Sequence, residues 1–231
     1  MSSTPQLPLG LRFPRDQRLD AYRDAAPGLL DALTALASAS GESVFLGGPD
    51  GSGRSHLLLA TCAQASAAGH AIAYLPLRVF GERAADALAQ QGGVRLACVD
   101  DLQAIAGDHA AEVALFDLHN RVRDGGGALL YAADMAPAQL PLALPDLRSR
   151  LSQCARFALS APDEAQRRAI LRERAAARGL ELDEAVMDYL FRRVERDLAS
   201  LTALLDRLDR ASLAAQRRIT VPFLKDVIEA T

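Results

Sequence analysis

The sequence predicts a parallel α/β core followed by an all-helical C-terminal domain. Three observations carry this. The run Gly47-Gly48-Pro49-Asp50-Gly51-Ser52-Gly53-Arg54-Ser55 lies between an apolar strand and a helix. Strand and helix patterns then alternate to about residue 160, and beyond that point only helical periodicity remains. Such alternation is what a parallel sheet with helices on both faces requires.

Residues 1–16 are polar and proline-containing with an apolar insert, and read as an extended tail joined to a first helix near Pro27 to Ala37. Val44 to Leu46 is a buried strand, and Ser55 to Ala68 a helix whose positive N-terminal end faces the preceding loop. Ala71 to Leu77 follows as a strand, Arg83 to Gln90 as a helix, and Val94 to Val99 as a strand leading into two aspartates. A helix from about Ala110 to Arg123 is stopped by Gly125-Gly126-Gly127. Ala128 to Ala133 and Arg156 to Leu159 complete the strands. Ser160 and Asp163, spaced for a capping box with Pro162 in the first turn, open a helical region. Its helices are expected near 163–178, 183–193, 197–215 and 221–229. The expected division is tail 1–16, core 17–160 and helical domain 161–231.

Gly48, Gly53, Arg54 and Ser55 fit the phosphate-loop spacing GxxxxG[K/R][S/T]. Glycines let backbone amides of the loop, through Gly51, Ser52 and Gly53 to His56 at the helix start, turn toward phosphate oxygens. Arg54 keeps the positive charge of the usual lysine but replaces a compact ammonium with a broad planar fork. The expectation is a protein that holds ADP or ATP stably and turns it over slowly or not at all. Leu96-Ala97-Cys98-Val99-Asp100-Asp101 delivers two carboxylates at the C-terminal end of a strand, where ligands sit in open parallel sheets. Asp100 and the Ser55 hydroxyl are the expected Mg2+ ligands. Asp101 stands where many ATPases place a longer glutamate that orients water. Asp134 ends a strand expected beside these, at the γ-phosphate end of the nucleotide, although a loop aspartate before Pro137 reads equally well.

The chain of 231 residues is half hydrophobic with a net charge of -3, which suits one globular unit with a small appended domain. That charge argues against the basic surface needed for direct DNA binding. The N-terminus carries no secretory pattern and no stretch of eighteen apolar residues occurs, so a cytoplasmic protein without membrane contact is expected. Cys62, Cys98 and Cys154 lie far apart and read as buried thiols; the four histidines show no ligand spacing.

The ordered set GPDGSGRSHLL, ACVDDLQAIAG, ALFDLHNRVRDGG, LLYAADMAP, LPDLRSRL and RDLASLTALLDRLDRAS resembles the AAA+ module of the DnaA family, and more closely its short Hda homologues. Nearly the whole chain is covered, and arginine in the phosphate loop is usual among the Hda proteins. The resemblance implies an AAA+ P-loop NTPase core with a helical lid. It implies that Arg150 is an arginine finger acting in trans, Asp134 the sensor 1 residue and Arg196 the sensor 2 arginine. It implies that Phe116 and Asn120 contact DnaA, although Phe116 fits a core position equally well. Gln6, Leu7, Leu9 and Leu11 match the family's motif for the polymerase III β sliding clamp, except that Gly10 stands where proline or another residue is usual. An extended peptide of this type can seat its leucines in an apolar groove.

The function so implied is regulatory inactivation of DnaA. An ADP-bound protein docked on the DNA-loaded clamp would stimulate DnaA's ATP hydrolysis and prevent re-initiation, and it is not expected to be an enzyme itself. Self-association is compatible with the family. The alternative is an initiator-like or helicase-loading AAA+ ATPase working through its own ATP cycle; negative charge and the lack of a helix-turn-helix pattern before Thr231 weigh against it.

Overall fold

Five short strands pair in parallel in the order β2-β3-β4-β1-β5. They are β1 (Val44–Gly47), β2 (Ile72–Pro76), β3 (Leu96–Asp100), β4 (Ala128–Ala133) and β5 (Ala155–Ala158). The computed structural model describes residues 18–23, 25–38, 40–193, 198–215 and 219–229. Gln6, Leu7, Leu9, Leu11 and Arg196 lie outside the described residues. The chain divides into two compact units at Ser160.

Strand β1 is an interior strand, pairing Val44 with Leu130 of β4 on one side and with Ala155 of β5 on the other. Successive side chains on a strand point to opposite faces, and each face finds its own core. Val44, Leu46, Leu96, Cys98, Leu130 and Ala132 pack with residues of α1 (Leu29–Ala37) and α2 (Arg54–Ala67). Phe45, Ala97, Val99, Leu129, Tyr131 and Ala133 face the other way. They meet residues of α4 (Ala84–Ala89), α5 (His109–Asp124) and α6 (Pro145–Ser152).

Two core helices do not follow the sequence pattern. The short α3 (Leu77–Phe80) begins at Leu77, which continues an apolar run and so was expected to end the strand. Helix α6 holds both Arg148 and Arg150 and has only two inward leucines, Leu147 and Leu151. One i,i+4 pair is too short a period to announce a helix. Pro145 at its first turn, after extended Leu144, sets its start.

The helical unit comprises α7 (Glu164–Ala177), α8 (Glu184–Arg193), α9 (Leu198–Ala215) and α10 (Val221–Glu229). Its core includes Leu171, Val186, Leu190, Phe191, Leu205, Leu208 and Leu224. The capping box differs from the expected one: Asp163 is the cap, accepting from the Gln166 amide, and Gln166 reaches back to the Asp163 amide. Pro162 therefore precedes the helix, and Ser160 takes no part in that cap.

Between α5 and β4, His119 Nδ1 lies 2.8 Å from the Tyr131 hydroxyl, both residues being buried. Burial, then the charges of Arg150 and Arg123, push the imidazole down from 6.5 to about 4. The folded state therefore holds a neutral ring that the unfolded chain protonates more readily. This contribution is complete above pH 6.5 and is lost as the pH falls toward 4. At about 1.4 kcal/mol per unit, roughly 2–3 kcal/mol should be lost by pH 4.5. His119→Gln, which can keep a hydrogen bond without titrating, is expected to flatten that part of the stability profile in urea denaturation between pH 7 and 4.5.

Candidate functional site

The phosphate loop leaves β1 through a gap that only glycine fits. A Cβ on Gly48 would lie 2.5 Å from the Leu159 carbonyl oxygen, just past β5. The Gly48 amide donates to the Ala133 carbonyl at the end of β4, and the Leu159 amide to the Gly47 carbonyl. The loop is thereby pinned to the strands on both sides of β1. At its other end Gly53 has φ +91°, and a Cβ there would lie 2.7 Å from the Tyr22 ring. The Tyr22 hydroxyl donates to the Ser52 carbonyl at 3.0 Å, so the N-terminal segment braces the loop.

Within this loop the polar groups divide sharply. Ser52 is 3 % exposed, and its Oγ has no hydrogen-bond partner. A buried unpartnered hydroxyl carries a cost that an incoming acceptor removes. Arg54 is also buried, and its guanidinium folds back on the loop, donating to the Gly48 carbonyl at 2.5 Å and to Asp50 Oδ1 at 2.7 Å. Ser55 is exposed in the first turn of α2, and Gly51 is exposed at the loop tip. His56 Nε2 lies 3.1 Å from the Arg18 carbonyl oxygen and its ring stacks on Tyr22. The imidazole thus serves the contact with the N-terminal segment.

The ends of β3 and β4 supply the second group. Asp100 is buried; Oδ2 accepts from the Tyr74 hydroxyl at 2.9 Å and Oδ1 from the Asp101 amide at 3.0 Å. Burial, followed by the charge of Asp100, holds the Tyr74 phenol in its protonated form. Asp101 has a left-handed backbone, φ 56°, a strained setting for a non-glycine residue. Its carboxylate meets Arg78 at 3.2 Å and accepts from Gln103 at 3.1 Å. Gln103 Oε1 in turn accepts from the Asp134 amide. Asp134 is exposed at the end of β4, which lies between β1 and β3 as the sequence required.

No group of three or more His, Cys, Asp or Glu suited to a metal occurs among the described residues. Ser55 and Asp100 nevertheless suit an ion whose remaining ligands are phosphate and water, because Mg2+ is commonly held by one or two protein oxygens. Asp100 keeps lone pairs beyond its two accepted hydrogen bonds.

The third group is set by Glu112, a residue that sequence reading missed. This fully buried carboxylate on α5 accepts from the amides of Gly107 (2.8 Å), Ala143 (3.0 Å) and Leu144 (2.6 Å). It thereby fixes the entry to α6. Of the two arginines on α6, Arg148 donates to the Leu142 carbonyl at 2.5 Å and braces the same turn. Arg150 is exposed, and its guanidinium makes no hydrogen bond or ion pair among the described residues. Phe116 and Asn120 lie half-buried on α5, Phe116 packing against the core.

Tyr22, Tyr74, Arg78 and Gln103 were also missed; each acts through a contact distant in sequence. Asp50 alone carried a local signal, the i,i+4 spacing to Arg54. Glu112→Gln would turn an amide donor toward backbone donors, and a loss of about 2–3 kcal/mol is expected in urea denaturation.

Residues 163–228 match the family described as the lid domain of Hda. The fold is similar to domain III of the replication initiation protein DnaA from Thermotoga maritima, with TM-score 0.72 and 19% identity over 94% of this chain and 98% of that one. It is similar to DnaA from Aquifex aeolicus bound to AMPPCP, with TM-score 0.67 and 20% identity over 87% and 67% of the two chains. The Thermotoga maritima RuvB Holliday junction branch migration motor matches with TM-score 0.57 and 17% identity over 86% and 65%. The fold is AAA+, with a C-terminal helical lid. Among the described residues no helix is long and apolar enough to cross a membrane.

Proposed function

We propose that this chain, an Hda-like AAA+ protein whose lid belongs to the Hda lid family, regulates the replication initiator DnaA by promoting hydrolysis of DnaA-bound ATP. The observation that carries the reading is the contrast on α6. Arg148 is engaged within its own chain, whereas Arg150 is exposed with an unengaged guanidinium on a helix whose entry Glu112 anchors. An arginine so placed is available to a neighbouring molecule.

The chain's own nucleotide is read as ADP, a structural part of the site. Loop amides, the Ser52 hydroxyl and Arg54 would hold its phosphates, and Ser55 with Asp100 would hold Mg2+. Bound there, the metal would supply positive charge against the phosphate oxygens. The engagement of Asp101 by Arg78 and Gln103 supports slow hydrolysis, because its carboxylate is held away from the role of orienting water. Arg150 would act in the partner's site, stabilising charge that develops on the phosphoryl group in transfer. Gln6, Leu7, Leu9 and Leu11 would dock the chain on the β sliding clamp, and Phe116 and Asn120 would meet DnaA.

The test is hydrolysis of ATP by DnaA in the presence of clamp-loaded DNA and the ADP-bound protein. Arg150→Ala is expected to remove stimulation by about 10³-fold or to background, with ADP binding retained. Arg148→Ala should instead lower stability, with stimulation surviving wherever the protein is folded. Full stimulation by Arg150→Ala would refute the finger, and rapid single-turnover hydrolysis by this chain alone would refute the holder role.

A further inference from the structure

Asp50 and Arg54 form an ion pair inside the phosphate loop in which the two partners have opposite environments. The Arg54 side chain is 7 % exposed and that of Asp50 is 77 % exposed, at 2.7 Å. A buried guanidinium without a counter-anion is strongly disfavoured, because the protein leaves it too little water to replace the lost hydration. An exposed carboxylate leaves such a pair easily, since water receives it.

We propose that Asp50 is the loop's internal stand-in for phosphate: it occupies Arg54 until a nucleotide arrives, and its charge biases the site toward the diphosphate over the triphosphate. This rests on the nucleotide reading above and names the residue that tunes it. Arg54 donates through Nη1 to the Gly48 carbonyl and through Nη2 to Asp50, so a phosphate oxygen that engages the Nη2 edge shares or replaces the Asp50 contact. The neighbouring Ser52 Oγ, buried and unpartnered, marks the same loop as short of an acceptor. A carboxylate that remains close opposes each added ligand charge, so ATP meets more resistance than ADP.

The consequence is a pair of effects with opposite sign. Asp50→Asn removes the competitor, and binding of ADP should tighten about fivefold, with a larger gain for the hydrolysis-resistant triphosphate AMPPCP. The same substitution leaves Arg54 without its anion, so the melting midpoint of the nucleotide-free protein should fall. A residue that merely shaped the loop would lower stability and weaken binding together.

Calorimetric titration of the full chain with ADP and with AMPPCP, beside thermal melts, tests this for wild type, Asp50→Asn, Asp50→Glu, Arg54→Gln and the Asp50→Asn/Arg54→Gln double variant. Asp50→Glu should stay close to wild type, because the charge is kept. In the double variant the gain relative to Arg54→Gln should shrink, since the competition is for Arg54. Unchanged or weaker ADP binding by Asp50→Asn, beside normal binding by wild type, overturns the inference and leaves the nucleotide reading standing. Equal gains for ADP and AMPPCP overturn the discrimination. No ADP binding by any of these proteins overturns the nucleotide reading itself, and this inference with it.

Discussion

The site depends on one close approach: the chain leaves β1 so near the Leu159 carbonyl that Gly48 has room for a hydrogen and nothing larger. That passage exists because β1 is held between β4 and β5, so its exit is bounded by backbone on both sides. Backbone cannot move aside as a flexible side chain can. The loop is therefore placed by the sheet, and its remaining freedom is taken up by Tyr22 against Gly53 and Ser52. Ser52, Arg54 and Ser55 are presented from that path, and Asp100 from the end of β3.

Buried charge is used in two distinct ways. Glu112 is satisfied by three backbone amides, which makes it a fixed anchor for the turn into α6. Asp100 is likewise engaged by Tyr74 and the Asp101 amide, yet it stands at the open ends of the strands. Arg54 differs from both, because its partner Asp50 is exposed to solvent. A cation with a replaceable anion suits a ligand site, whereas a carboxylate closed by backbone amides suits a scaffold.

The same contrast distinguishes the arginines of α6. Arg148 is tied to Leu142 and helps hold its turn, while Arg150 faces outward from a helix whose entry Glu112 fixes. Rigid support behind an exposed guanidinium is what action on a partner demands, because a charge aimed at a transition state loses value if it wanders. Under the proposed function the loop would hold nucleotide and the helix would offer Arg150 to the partner, dividing the task between holding and acting.

The phosphate loop, the strands, the long helices and the carboxylates after β3 were legible because each is encoded over a few neighbouring residues, by spacing or by period. Helix α6 was not, since two leucines do not make a period, and the lid cap shifted from Ser160 to Asp163 because either side chain could serve by spacing alone. By itself the sequence determined the class of the core and the position of the loop, and the resemblance it carries singled out Arg150. Only the tertiary structure decided that Arg54 turns back to Asp50, that Tyr22 and Tyr74 close on the loop and on Asp100, and which arginine on α6 remains available. Those outcomes are contacts between distant segments, and their energies depend on burial that exists only once the sheet and its helices have assembled.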